Sequence, residues 1–171
     1  MSNNSRMHNI EIRRLQADDV EDFRSIRLSS LKKAPEMFGT IYCDEAKKPV
    51  QAFLGRLIDA VAFGAYVDDK IVGLMVLKQE NGIKDAHKSY LSGVFVEPEL
   101  RNRGIANSLL DKVIEYAAEH VEQIMLTVVE GNNAAICLYK KYGFVPYGVE
   151  PRAMKTEQGY LNEVLMALVL H

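Results

Sequence analysis

The sequence predicts one domain of the mixed α/β class, and three observations support this prediction. Its 171 residues are enough to bury a single core of ordinary size. Hydrophobic residues make up 48% and charged residues 26%, which is the balance of a globular chain. Short strand-like apolar runs alternate with segments of helical periodicity, without an internal repeat or a break in composition. We therefore expect residues 1–171 to form one domain, with residues 1–8 as a flexible N-terminus.

The first third of the chain predicts a strand and two helices. Ile10–Leu15 has the apolar spacing of a strand. Asp18–Asp19 offers N-cap chemistry for a helix that Pro35 ends, and Pro49 opens a second helix. We expect the segment between them, Glu36–Lys48, to be a loop. The stripe of the first helix consists of Val20, Phe23, Ile26, Arg27 and Leu31.

Three strands are predicted in the middle of the chain. Val61–Val67 and Lys70–Lys78 are apolar and β-branched, and the Asp68–Asp69 pair between them indicates a hairpin turn. The polar segment Glu80–Lys88 is typical of a loop. The next predicted strand is Tyr90–Val96, and we expect it to end before Pro98.

The last third predicts two helices and three strands. An apolar stripe of helical spacing runs from Ile105 to Val121, and a C′ glycine at Gly143 ends a second, shorter helix. We expect a loop around Pro151 and Gly159. The remaining predicted elements are a strand at Ile124–Val129, the short helix at Ala134–Tyr142, and strands at Val145–Val149 and Tyr160–Leu170.

Charge, cysteine and hydropathy patterns exclude several classes of protein. The 21 basic and 23 acidic residues give a formal net charge of −2, which argues against a nucleic-acid partner. Cys43 and Cys137 form no Cys-x-x-Cys pair, and the four histidines show no metal-ligand spacing. No signal peptide is recognisable, and no apolar run approaches the about 18–20 residues that cross a bilayer. We expect a cytoplasmic protein without a metal or a membrane partner.

A strand, a tight loop and the start of a helix follow one another between Val94 and Asn107. This arrangement points main-chain N–H groups and the positive end of a helix dipole at one place, where an anion can bind. Gly104 and Ala106 leave room for a phosphate, and Arg101 and Arg103 add charge at the rim. The alternative is a plain βα turn with two solvated arginines. Neither the dinucleotide glycine pattern nor a P-loop is present.

A second segment follows the predicted strand at Ile124–Val129. Asn132 or Asn133 caps the short helix there, and Ala135 and Tyr139 lie about one turn apart on it. The small residue would let a ligand approach, and the phenol would face that ligand. The alternative is that Tyr139, like Tyr142, is a half-buried amphipathic side chain.

Together these segments resemble the GNAT superfamily of acyl-CoA-dependent N-acetyltransferases. The family's coenzyme signature, R/Q-x-x-G-x-G/A, matches Arg101, Gly104 and Ala106. Its second signature matches Asn132, Ala135, Leu138, Tyr139, Lys141, Gly143 and Phe144. The resemblance implies a central, mostly antiparallel seven-stranded sheet flanked by about four helices, with strands four and five splayed around the coenzyme.

The resemblance also implies acetyl-CoA as cosubstrate, and no metal. Its pyrophosphate would lie on the amides of the loop, and its pantetheine arm would run along the fourth strand and bind the main chain of Val94 and Val96. Asn132 would contact the arm from the other side. The coenzyme-binding residues implied in this way are Val94, Phe95, Val96, Arg101, Asn102, Arg103, Gly104, Ile105, Ala106, Asn107, Asn132 and Ala135.

The family reaction is a direct attack of a neutral amine on the thioester through a tetrahedral intermediate, whose oxyanion an N–H near Val94 would hold. By resemblance, Tyr139 is the general acid that protonates the departing thiolate. The general base stays unassigned. Glu97 and Glu130 end the two strands, but Glu97 is equally a solvated turn residue, and water relays serve many relatives.

The acceptor is predicted to be a primary amine of a small molecule or a peptide. The residues that fall where relatives shape their acceptor pockets include Phe38, Arg152 and Tyr160. Arg152 would pair with a carboxylate of the acceptor, or it is a surface arginine. The alternative functions are a non-catalytic acyl-CoA sensor or partner subunit and an enzyme that acylates protein lysines. Relatives commonly form homodimers through their last strands.

Overall fold

The computed structural model describes residues 9–170, so the predicted flexible N-terminus at residues 1–8 lies outside the described residues. Seven strands and five α-helices occur in the described range. The strands are β1 Ile10–Arg14, β2 Val61–Val67, β3 Lys70–Gln79, β4 Lys88–Val96, β5 Gln123–Val129, β6 Val145–Thr156 and β7 Gly159–Val169. The helices are α1 Val20–Lys33, α2 Tyr42–Ala46, α3 Val50–Asp59, α4 Ile105–Ala118 and α5 Asn133–Lys141.

All seven strands form one sheet in the order β1-β2-β3-β4-β5-β7-β6. Every neighbouring pair is antiparallel except β4 and β5, which run parallel. The mostly antiparallel seven-stranded sheet is therefore confirmed. None of the helices in the range 9–170 is long and apolar enough to cross a membrane.

The hairpin between β2 and β3 follows from two aspartates. Asp68 and Asp69 have φ angles of 50° and 61°. Positive φ at both central residues is what a two-residue hairpin turn of the favoured twist requires, and aspartate tolerates this conformation better than most residues. The two strands that the turn joins are buried on both faces, because helices cover both sides of the sheet.

Each face of the sheet has its own core. On one face α4 packs Leu109, Leu110 and Val113 against the sheet, and all three are fully buried. On the other face α1 and α3 contribute Phe23 and Phe53, whose rings meet edge to face with centroids 6.1 Å apart. The apolar stripes predicted for these helices therefore provide the two cores.

β4 and β5 separate soon after they begin to pair. Only Lys88–Tyr90 is in register with β5, opposite Gln123–Met125. Beyond that point the strands diverge, and Gly93–Val94 bulges opposite Met75 of β3, with Gly93 at φ 62°. The predicted splay of strands four and five is confirmed, and it opens a gap in the middle of the sheet.

Two boundaries differ from the prediction. The predicted loop Glu36–Lys48 contains the short helix α2, because Glu45 turns inward and pairs with cations of neighbouring helices. The helices therefore number five in the described range instead of about four. β6 continues past Val149 through Pro151, which is tolerated because β6 is an edge strand and its register shifts between Glu150 and Met154.

Candidate active site

A cleft of about 1160 Å³ opens where β4 and β5 separate. β4 from Leu91 to Val96 and the end of β5 form its walls within the sheet. The loop that leads into α4 and one face of α5 line one end. Residues of α1, the following Pro35–Met37 turn, α2 and α3 supply a further part of the lining. The two predicted motifs therefore line the same cleft, together with residues of α1, α2 and α3 that belong to neither motif.

The loop that leads into α4 carries free main-chain donors. Gly104 is the N-cap of α4, at φ 77°, and no side chain caps the helix. No acceptor within the range 9–170 receives a hydrogen bond from the N–H groups of residues 102–107. A Cβ atom at Gly104 would have no neighbour within 4 Å, so the space beside this glycine is open. Open space beside unpaired amides at a helix N-terminus fits a polyphosphate group.

The side chains around this loop divide between the cleft and solvent. Arg101 lines the cleft, where its Nε donates to the Val96 carbonyl over 3.2 Å. Ala106 and Asn107 also line the cleft, whereas Arg103 is exposed and lies outside it. The Tyr142 hydroxyl donates to Asp111 over 2.8 Å and lies 3.0 Å from the Asn107 carbonyl oxygen, which ties the end of α5 to α4. Burial, with the hydrogen bond to Asp111, raises the pKa of Tyr142 to about 12.

The main chain of Val94 is released from the sheet. Val94 lines the cleft and has no partner in the register of β3 or of β5. Its neighbours Phe95 and Val96 pair with β3 and also line the cleft. A strand with one side unpaired offers its N–H and C=O groups to a ligand. All three residues therefore lie at the cleft.

Asn132 is the residue that caps α5. Its Oδ1 accepts from the Ala135 N–H over 3.4 Å, which decides between the two candidate asparagines. Its Nδ2 lies 3.4 Å from the Met37 sulfur, which belongs to the opposite wall of the cleft. Asn132 and Ala135 both line the cleft, as predicted.

The end of α5 positions Tyr139. Gly143, at φ 95°, donates its N–H to the Lys140 carbonyl, and Phe144 donates to the Tyr139 carbonyl over 3.0 Å. These two bonds form a Schellman motif, whose usual apolar contact is made here by the Tyr139 and Phe144 rings, 5.6 Å apart. The helix stop therefore fixes the backbone and the ring of the predicted general acid.

Tyr139 lines the cleft with a side chain that has little access to water. The residue is 4% exposed, and its hydroxyl has no hydrogen-bond partner within the range 9–170. Burial raises the pKa of Tyr139 above that of an ordinary phenol. The side chain is therefore a protonated donor without an acceptor of its own.

Neither carboxylate considered as a base lines the cleft. Glu97 is buried and accepts from Ser29 over 2.6 Å and from Lys33 over 2.5 Å, so it fastens α1 to the end of β4. Glu130 is exposed and receives a long hydrogen bond from Asn162. Glu97 is thus a structural residue and not a solvated turn residue.

The predicted acceptor residues are not brought together. Phe38 lines the cleft, half-buried. Arg152 and Tyr160 lie on β6 and β7, outside the cleft, where the guanidinium stacks 4.8 Å from the phenol ring. In the described chain, therefore, these two side chains contact each other and do not reach the site.

A charged cluster in the part of the lining formed by α1, α2 and α3 was not predicted. Glu45 is fully buried and pairs with Arg56, with Lys48 over 3.1 Å and with Arg27 over 3.8 Å. All four side chains line the cleft. Burial alone would raise the pKa of Glu45, but the hydrogen bonds and charges of its partners lower it overall. The available signal was Arg27 itself, a charged residue within the apolar stripe of α1.

Comparisons with known proteins agree with these features. The profile of the family described as "Acetyltransferase (GNAT) family" matches residues 22–144. The L-amino acid N-acetyltransferase AaaT of Escherichia coli is 29% identical over 171 residues, which cover 95% of this chain and 99% of that protein. A ribosomal-protein-alanine N-acetyltransferase of Salmonella typhimurium is 33% identical over 79 residues, 46% of this chain and 53% of that protein.

Solved structures share the fold. An acetyltransferase of the GNAT family from Streptococcus pneumoniae superposes with a TM-score of 0.84 and 21% identity, over 95% of this chain and 100% of that one. A putative acetyltransferase from Salmonella typhimurium, solved with its cofactor acetyl-CoA, superposes with a TM-score of 0.81 and 18% identity, over 95% of each chain.

Proposed function

Because the chain belongs to the GNAT acetyltransferase family, it is an acyl-CoA-dependent N-acetyltransferase, and we propose that it acetylates the primary amine of a small molecule or peptide. The relatives named above act, by their names, on L-amino acids and on a protein alanine. The observation that carries the proposal is the cleft itself, which connects unpaired loop amides to a buried phenol without an acceptor.

The loop and the free edge of β4 are the proposed binding site for acetyl-CoA. The N–H groups of residues 102–107 would hold its pyrophosphate, and Arg101 would add positive charge beside it. The released main chain of Val94 would bind the pantetheine arm and hold the oxyanion that forms during transfer. When bound, acetyl-CoA supplies the activated acyl carbon.

Tyr139 is the proposed general acid. The new bond joins the acceptor nitrogen to the acyl carbon, and the bond that breaks joins that carbon to sulfur. The Tyr139 hydroxyl would give its proton to the departing sulfur and regain one from solvent, while the amine would lose its proton to water. A buried phenol with a raised pKa is held in the protonated form that this step needs.

The test is the Tyr139→Phe variant. We expect kcat to fall about a hundredfold or more, the usual contribution of a general acid. The dissociation constant for acetyl-CoA, measured by calorimetry, should stay the same, since the hydroxyl bonds to nothing in the range 9–170 and the ring contact with Phe144 is kept.

The matched control is Tyr147→Phe, which removes the hydroxyl of an exposed tyrosine outside the cleft. Thiol release from acetyl-CoA with a panel of amines, amino acids and short peptides reports turnover of each protein. Equal rates for wild type and Tyr139→Phe would exclude Tyr139 as the acid. Binding of acetyl-CoA without thiol release from any acceptor would instead favour the sensor.

A further inference from the structure

The guanidinium of Arg27 lies at the cleft and donates no hydrogen bond to another residue of the range 9–170. Its side chain is 15% exposed and lines the cleft at the end formed by α1, α2 and α3. Within residues 9–170 none of its nitrogens donates a hydrogen bond, because the closest carboxylate oxygen, Oε1 of Glu45, lies 3.8 Å from Nε. None of the Arg27 nitrogens is among the buried, unpartnered polar atoms of the range 9–170, so they are open to the cleft, where a guanidinium can donate to an anionic ligand.

The surroundings of Arg27 add positive charge. Three cationic side chains, Arg27, Lys48 and Arg56, surround the single carboxylate of Glu45. Both oxygens of that carboxylate are occupied, by Arg56 and by Lys48, so Glu45 holds the cluster in place without neutralising it. A positive excess on the low-dielectric wall of a cleft attracts anions.

The donor's phosphates have their own site. The free amides of residues 102–107 belong to the loop before α4, whereas Arg27 belongs to α1, so the two sets of donors lie on different elements of the lining. An acceptor must reach the acyl carbon from a side that acetyl-CoA leaves open, and the lining that the two coenzyme motifs leave unassigned comes from α1, α2 and α3. The Phe38 ring lies 5.4 Å from the Arg27 guanidinium and closes one side of the space beside it.

We propose that Arg27 binds a carboxylate of the acceptor, so that the acceptor is an amino acid with a free carboxyl group. The planar guanidinium matches a carboxylate through two parallel hydrogen bonds, which a neutral amide group cannot replace. Glu45 is a positioning residue for Arg27 and Arg56. This inference rests on the proposed function, whose amine acceptor it narrows.

The test compares L-amino acids with their carboxamides, in wild type and in the Arg27→Gln variant. Wild type should use the best free acid at least tenfold better, by kcat/KM, than the matching amide. In Arg27→Gln this preference should disappear through a higher KM for the acid, while the rate with the amide changes less than about twofold. Arg27→Lys should retain part of the preference, since charge remains without the planar donor pair.

The matched control is Arg24→Gln, on the same helix. Arg24 donates to the Ala46 carbonyl over 3.3 Å, lies over the Phe53 ring and does not line the cleft. This variant should keep the wild-type preference. Calorimetric binding of acetyl-CoA should be equal in all four proteins, which also shows that each is folded.

Several outcomes would overturn the inference. One is an equal kcat/KM of the wild type for amino acids and for their carboxamides, a result that the wild type alone can give. Another is an Arg27→Gln variant that slows the turnover of both acceptors equally. A third is an Arg27→Gln variant that binds acetyl-CoA more weakly, which would assign Arg27 to the binding of acetyl-CoA. Turnover of peptides or other amines, but of no free amino acid, would also refute it and leave the proposed function intact. Failure of every amine would refute the proposed function itself.

Discussion

Tyr139 combines two properties that are seldom found together. It is 4% exposed, yet its hydroxyl has no hydrogen-bond partner in the range 9–170. The hydroxyl is not among the buried, unpartnered polar atoms of the range 9–170, so it faces the open space of the cleft, where a ligand atom can accept its proton. The raised pKa of Tyr139 follows from burial, which disfavours the phenolate.

The raised pKa predicts the shape of the pH profile. A general acid acts in its protonated form, and a phenol whose pKa lies above the ordinary value near 10 stays protonated at neutral and mildly basic pH. kcat/KM should therefore rise with pH as the acceptor amine loses its proton, without a descending limb below about pH 10. Initial rates between about pH 6 and about pH 10 measure this. A fall centred below about pH 9, present in wild type and lost in Tyr139→Phe, would contradict it.

The sequence alone predicted the parts of the site that are local in the chain. The loop before α4, the cap at Asn132 and the glycine stop after Tyr139 each depend on residues a few positions apart. The charged cluster could not be predicted in this way, because Glu45 meets Arg27 and Arg56 only after three helices have packed. The prediction that Arg152 contacts the acceptor rested on its charge alone. In the fold, Arg152 lies on β6 outside the cleft and contacts Tyr160.

Among the elements, α5 shows how a helix terminus can position a side chain at the cleft. The Schellman motif at Gly143 bonds the Tyr139 carbonyl to Phe144 and packs the two rings together. The residues that end the helix therefore also position Tyr139, the proposed general acid. Helix stops have clear sequence signals, and this one was predicted at the correct glycine.

Substitution of that glycine should affect both stability and rate. Gly143 has φ 95°, where an alanine costs about 1–2 kcal/mol, so Gly143→Ala should lower Tm by about 2–8 °C. Because the motif would relax and move the Tyr139 ring, kcat should also fall, by about tenfold. Scanning calorimetry and thiol release measure the two effects.

Gly159→Ala is the control for backbone strain without a catalytic role. Gly159 has φ 125°, begins β7 directly after the turn from β6, and has no atom within 4 Å of an added Cβ. This variant should lose stability and keep kcat. A Gly143→Ala variant that keeps the wild-type kcat would show that the helix end at Gly143 does not affect turnover.

The two elements that the sequence placed wrongly depend on the rest of the fold. α2 is short and begins without a side-chain cap, and it owes its stability to the ion pairs of Glu45. β6 continues past Pro151 because it is the edge of the sheet and can shift its register there. Neither cause is visible in a short window of sequence.

At the level of the whole molecule, the sheet consists of two parts with a weak connection. β1 to β4 form one part and β5, β7 and β6 the other, and only Lys88–Tyr90 with Gln123–Met125 pairs across the boundary. The core under α4 also spans both parts, since it includes residues of β3 and of β5. The remainder of the boundary is the cleft.

A ligand that fills this boundary should stabilise the whole fold. Because acetyl-CoA binds the folded chain, a concentration about 100 times its dissociation constant should add about 2.7 kcal/mol to the free energy of unfolding. For a chain of this length Tm should rise by about 5–10 °C, measured by scanning calorimetry. Amides of Leu91–Val96 should at the same time exchange hydrogen more slowly. A rise in Tm without added protection of β4 would place the ligand outside the gap.

The parted strands have a consequence for how long the protein survives in a cell. Proteases cut the locally opened chain, and the population of that form falls as a ligand closes the gap. We expect limited proteolysis near β4 to slow as acetyl-CoA is added. If it does, the lifetime of the enzyme would follow the supply of its donor, so that a shortage of acetyl-CoA would lower the amount of enzyme as well as its saturation.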